Sequence, residues 1–308
     1  RRVRAEGMGL TMGEVVGAGL LSHVPTIMLP EAARRELNEG KEISLVPALH
    51  QLRAEKFERL DYDTVIVLDS HWFTTVEFVV TSHPMRAGLF TAEELPRGMC
   101  RIPYEWRGDP ELAEAIAAEG EPAGTWITPI DDPYLPLYYP SVNLWSSLGK
   151  GLDKQWISVS VCQTGETDDF LRVGRAIRAA VERTDRKVIV IATGSMSHTF
   201  YKLKELRKHE SSDPSHIFSQ KARDMDHERL GWFFEGRHDL VIDTMPEFLT
   251  VRPEGMFAHY LMMAAALGER DLSAPGVQYG DYENAIGTSQ VHVWFDRPAA
   301  GWTAPRSA

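Results

Sequence analysis

Four stretches of this chain are apolar almost without interruption and rich in β-branched residues: Glu14 to Leu21, Thr64 to Leu68, Trp156 to Val161 and Lys187 to Ala192. A strand with one wet face alternates apolar and polar positions, so a run that is apolar throughout predicts a strand buried on both faces. The four read as the central strands of one sheet. Helical patterns lie between them, as in Asp168 to Thr184, where Phe170, Val173, Ile177 and Val181 recur at helical spacing and Thr167 or Asp168 can cap the start. Strands alternating with helices predict an α/β layered domain.

The rest of the chain fits one large domain, placed at residues 13–297, with an extension at 1–12 and a tail at 298–308. Ser215 to Glu235 reads as a long amphipathic helix, and Met256 to Leu267, closed by Gly268, as a buried one. Thr81 to Asp109 and Thr128 to Ser141 are broken by proline and glycine and read as loops, walls for a pocket. A formal net charge of −11 argues against nucleic acid as a partner. Cys100 and Cys162 form neither a disulfide framework nor a paired-Cys zinc site, which suits a reducing cytoplasm. No apolar run is long enough to span a membrane, and the basic start has no apolar signal core behind it, so the expectation is a soluble, cytoplasmic protein.

Three of the 11 histidines follow predicted strands: His23 after Leu21-Ser22, His71 after Asp69-Ser70 and His198 after Met196-Ser197. In α/β sheets ligands gather beyond the carboxyl ends of the strands, where loops converge on a rigid frame. One such histidine alone reads as a polar residue satisfied by nearby backbone. Three alike, each preceded by a serine, favour a shared site. His50, His83, His209, His216, His227 and His238 lie in polar or helical-surface contexts and read as solvated. Two histidines and one carboxylate leave coordination positions open, which suits non-haem Fe(II). Glu254, just ahead of the apolar helix, is the candidate acid, although a glutamate in a first helical turn also favours the helix dipole without any metal.

At these residues the chain resembles the class III extradiol ring-cleaving dioxygenases, the family of the protocatechuate 4,5-dioxygenase catalytic chain. It is most similar to the homoprotocatechuate 2,3-dioxygenase and 2-aminophenol 1,6-dioxygenase branch. The matching segments are Ser22-His23-Val24-Pro25-Thr26, Asp63 to Trp72, Gly88 to Pro96, Thr193 to His198, Pro253-Glu254-Gly255 and Gly287 to Val291. The resemblance implies a central mixed β-sheet flanked by helices, with the metal at one edge. It implies His23, His71 and Glu254 as ligands of Fe(II), and His198 beside the metal as the acid/base. The implied reaction inserts both atoms of O2 into a 3,4-dihydroxyphenylacetate-like catechol, with meta-cleavage to a muconic semialdehyde. A 2-aminophenol 1,6-dioxygenase catalytic subunit is the alternative, and a non-catalytic or zinc-dependent relative a further one. The implied assembly is a homo-oligomer or a pairing with a paralogous chain.

The segment Asp131 to Tyr139 departs from the Asp-His-Gly turn that many relatives carry, and Tyr134 and Tyr138 are its substrate-facing candidates. Arg86, Arg101 and Arg252 stand in loops where a cation could meet a substrate carboxylate. A serine hydrolase reading of Ser195 and His198 carries little weight, because Thr193 to Ser197 lacks the closing glycine of a nucleophile elbow.

Overall fold

The four apolar runs do become the middle of a sheet. In the computed structural model, which describes residues 12–303, β1 is Glu14–Leu21, β2 is Thr64–Thr74, β7 is Gln155–Cys162 and β8 is Lys187–Thr193. They lie side by side and parallel in the order β7-β2-β8-β1. Their side chains divide by parity between two hydrophobic clusters, one on each face. Ile66, Leu68, Val188 and Val190 enter one, while Val65, Val67, Ile189 and Ile191 enter the other. That two-sided burial is the physical reason for the unbroken apolar runs.

Among the described residues the sheet has ten strands and is mixed. β10 (Thr288–Asp296) runs antiparallel to β1, and β9 (Gly276–Ala285) closes that side against β10. On the other side β3 (Phe78–Thr81) pairs with β6 (Ile127–Ile130) and touches β7 through Val80. The loop expected over Thr81 to Asp109 contains a hairpin, β4 (Met85–Phe90) and β5 (Ile102–Arg107), with Gly88 opposite Tyr104. Pro103 is tolerated in β5 because that strand meets β7 only at Arg107, so the proline breaks no central ladder.

The helices Thr167–Arg183 and Ala258–Leu267 pack on one face, and Leu45–Leu52 and Tyr139–Leu144 on the other. Gly174 permits the first pair to approach closely, since a Cβ there would sit 2.3 Å from the Met262 carbonyl oxygen. The cap of Thr167–Arg183 is Glu166, not Thr167 or Asp168: its carboxylate accepts from the Asp169 N–H while Asp169 accepts from the Glu166 N–H. The helix expected from Ser215 starts at Gln220, where the Ser219 hydroxyl accepts from the Ala222 N–H. The buried helix begins at Ala258, two residues later than expected, because Met256 and Phe257 are left-handed.

Most of the extension at 1–12 lies outside the described residues. The tail is described as far as Thr303, and there the Trp302 indole donates to the Val15 carbonyl. Among the described residues no helix is long and apolar enough to cross a membrane.

Candidate metal centre

Three parallel strands deliver their carboxyl ends to one place. β1 ends at Leu21, whose carbonyl accepts from the Gly194 N–H just past β8, so Ser22-His23 and Gly194 to His198 leave the sheet side by side. The turn between them is tight: a Cβ on Gly194 would meet the His259 ring at 2.5 Å. His71 reaches the same place from within its strand. β2 pairs with β7 through Asp69, skips three residues and resumes at Phe73, so Ser70, His71 and Trp72 bulge out of the ladder. Asp69 holds the bulge, accepting from the His71 N–H at 3.0 Å and from the Ser141 hydroxyl at 2.8 Å.

Glu254 arrives from the far end of the sequence. An isolated bridge between Ser197 and Pro253, with the Glu254 N–H donating to Met196 O and the His198 N–H to Arg252 O, clips its segment to the β8 exit. Gly255, Met256 and Phe257 then turn left-handed, a costly conformation for the two non-glycine residues and one concentrated at functional sites. The buried carboxylate is oriented through both oxygens. Oε2 accepts from the Ser195 N–H at 2.6 Å and its hydroxyl at 2.8 Å, and Oε1 from the Ser70 hydroxyl at 2.7 Å.

Oε1 also lies 3.2 Å from His23 Nε2 and 3.1 Å from His71 Nε2. Ligands on one face of an octahedron, each about 2.1 Å from a cation, stand about 3 Å apart, so this triangle has the dimensions of a facial two-histidine, one-carboxylate site. These three residues are the one cluster of such donors among the described residues that converges on a common point. His198 stands outside the triangle, its Nε2 4.0 Å from the other carboxylate oxygen. The loop that carries it is fixed by buried Asp226, which accepts from the Ser197 N–H and hydroxyl and from Tyr282.

Burial raises the cost of charging Glu254, yet His23 and His198 beside it hold its carboxyl well below the usual range. Burial lowers His198 despite the opposing pull of Glu254, leaving a neutral imidazole at neutral pH. His71 is raised, because Glu254 and Asp69 outweigh its own desolvation.

The triangle lines a cavity of about 330 Å³ together with His198, Phe200, Glu94 and Tyr139. The Tyr139 hydroxyl sits 2.7 Å from His71 Nε2 and donates to Glu94 at 3.2 Å. Burial first, then Glu254 and Glu94, push its phenol up, so it stays protonated. Neither expected tyrosine is there. Tyr134 is 91% exposed, and Tyr138 stacks on Trp72 with ring centroids 6.2 Å apart, away from the cavity. Tyr139 opens the helix Tyr139–Leu144 and lines the cavity, while its neighbour Tyr138 does not. The expected cations also miss the cavity. Arg86 is buried and donates to Leu135 O at 2.5 Å, Arg101 is exposed, and Arg252 faces a separate depression beside Ser197 and Thr250.

Two histidines expected to be solvated are buried. His238 lies between the Tyr260 hydroxyl and Ala274 O, both at 2.8 Å, and His83 contacts Asp132 O at 2.7 Å. His50 and His227 are exposed, and His209 and His216 are half-buried with their Nδ1 atoms 2.9 Å apart.

Residues 17–286 match the family described as the catalytic LigB subunit of aromatic ring-opening dioxygenase. The chain belongs to that family. A relative from Escherichia coli, 3,4-dihydroxyphenylacetate 2,3-dioxygenase, is 27% identical over 259 residues, 83% of this chain and 91% of that one. An uncharacterized protein of Escherichia coli K12 shares the fold with a TM-score of 0.59 at 15% identity, over 91% of this chain and 99% of that chain. This LigB-family chain is therefore an extradiol ring-cleaving dioxygenase, acting on an aromatic substrate with O2.

Proposed function

We propose that this dioxygenase holds Fe(II) through His23, His71 and Glu254 and opens a 3,4-dihydroxyphenylacetate-like catechol by meta-cleavage to a muconic semialdehyde. The observation that carries the reading is the triangle of two imidazole nitrogens and one carboxylate oxygen at the cavity wall, with His198 standing off it. Iron held by these three residues would supply the one-electron chemistry between an aromatic ring and O2 that side chains alone lack.

The remaining work belongs to side chains. His198, kept neutral by burial, accepts a proton from a ring hydroxyl as the catechol binds and returns it to an oxygen atom as the O–O bond breaks, both atoms ending in the product. Tyr139, kept protonated, gives its one O–H to Glu94, which holds the phenol oxygen at the cavity wall beside His71. Asp69, Ser70, Ser195 and Asp226 fix the segments that carry these groups, so the site is set before substrate arrives.

Anaerobic loading with Fe(II), followed by O2 uptake against a panel of catechols and 2-aminophenol, tests the reading. Uptake with a yellow product is expected for the catechols with Fe(II) and absent with Zn(II). Preference for 2-aminophenol would identify an aminophenol dioxygenase, and no uptake with any ring would refute the assignment. The same reading takes the protein as cytoplasmic, on its two free cysteines, and as a homo-oligomer or the partner of a paralogous chain.

A further inference from the structure

A catechol with a carboxylated side chain needs a partner for its second charge, and the cavity lining offers one cation. Among the described residues, Arg34 is the one arginine or lysine that lines the cavity, entering from the helix Glu31–Leu37. Its side chain is 10% exposed. The guanidinium is fixed before any ligand arrives: Nε donates to Glu42 Oε1 at 2.7 Å, Nη2 to Glu42 Oε2 at 3.0 Å, and Nη1 to Leu29 O. Glu42 is in turn fixed by the Ile43 N–H, which it accepts at 3.0 Å. A guanidinium carries five N–H groups, so these three bonds leave one N–H on Nη1 and one on Nη2.

The geometry points to Arg34 as the residue that receives the substrate's carboxylate, making it the specificity determinant for the ring substituent. The inference rests on the catechol reading above. Two N–H groups from adjacent nitrogens match two carboxylate oxygens, and an arginine already held in place loses little freedom on binding. Glu42 has two effects here. It aims the fork, which favours binding, and it neutralises the pair, which keeps the cavity from attracting anions indiscriminately. Glu210 also lines the cavity and forms no ion pair among the described residues, so a cationic substituent is the competing match.

The test measures anaerobic binding and steady-state cleavage of 3,4-dihydroxyphenylacetate and 4-methylcatechol by the Fe(II)-loaded enzyme. Arg34→Met should lower the preference for the carboxylated ring by about 10- to 100-fold, the range of a hydrogen bond to a charged group. The loss should fall on binding and KM more than on kcat, because the contact lies away from the reacting atoms. Glu42→Gln, which still accepts one N–H but removes the competing charge, should move the preference the opposite way. Misfolding cannot produce that gain. An unchanged binding preference in both variants would overturn the inference. So would a wild-type preference for 2-(3,4-dihydroxyphenyl)ethylamine that Glu210→Gln abolishes. If no ring is cleaved, the proposed reaction has failed, and the binding ratios still decide the role of Arg34.

Discussion

His292 makes the sharpest stability prediction in the structure. Its ring is wholly buried in β10, with Nδ1 accepting from the Ser22 N–H at 3.1 Å and Nε2 donating to Leu45 O at 3.2 Å. Those two bonds specify one neutral tautomer, and a proton on Nδ1 would face the Ser22 N–H directly. Burial therefore lowers the group from an ordinary 6.5 to about 4. Because the folded value lies below the unfolded one, the unfolded chain gains the proton first. Stability from this residue is complete above pH 6.5 and is lost as pH falls towards 4. At about 1.4 kcal/mol per unit, the loss is about 2 kcal/mol by pH 5 and about 3 kcal/mol by pH 4. The assay is the urea midpoint from pH 7.5 to 4 for wild type and His292→Gln. Glutamine can serve both bonds without titrating, while every other titrating group is common to both proteins. The wild-type advantage at neutral pH should shrink steadily below pH 6.5. Parallel curves would refute the reasoning.

At the proposed metal site, His71→Ala and Glu254→Gln should each bind iron far below one equivalent, because one removes a ligand and the other the balancing charge. Metal analysis after gel filtration, with circular dichroism to confirm folding, checks this. His198→Gln should keep its iron and bind catechol anaerobically but slow the reaction after O2 addition by about 10²–10⁴. The wild-type acid limb should fall below the ordinary histidine range, since burial lowers His198, and stopped-flow rates against pH should lose that limb in the variant. Tyr139→Phe should retain the metal and lower kcat, because it deletes the hydroxyl that stands 2.7 Å from His71 Nε2 and donates to Glu94, and unchanged kinetics would remove Tyr139 from the reaction.

What the sequence reveals depends on how many chain segments a feature requires. The core strands need only their own residues: apolar side chains on both faces leave a run such as Val65 to Leu68 with no other place to go. The β4–β5 hairpin needs a partner strand to excuse Pro103, so the prolines conceal it. The three histidines are legible because each comes within six residues of the end of an apolar run, Leu21, Leu68 or Ala192. Glu254 is ambiguous from its own segment and takes its expected role from the resemblance, and what brings it beside the histidines is the clip to Met196. Tyr139 and Tyr138 cannot be told apart without knowing how the helix begins. His259 and His292 give no local signal because they sit inside apolar runs, while His238 reads as solvated because its local neighbours are polar and its true neighbours, Tyr260 and Ala274, come from elsewhere in the chain.

The wall of the cavity is built from two kinds of material. The ligand triangle hangs from the exits of β1 and β2 and from the segment clipped to β8, all anchored in the core sheet, whereas Arg34, Leu206, Glu210 and Ser212 belong to a short helix and surface segments. Substitutions in the short helix and surface segments can alter which ring substituent is accepted while the residues proposed to fix the metal stay untouched. Descendants of one ancestor can thus diverge in diet while keeping one chemistry, and a relative at 27% identity is a guide to the reaction before it is a guide to the substrate.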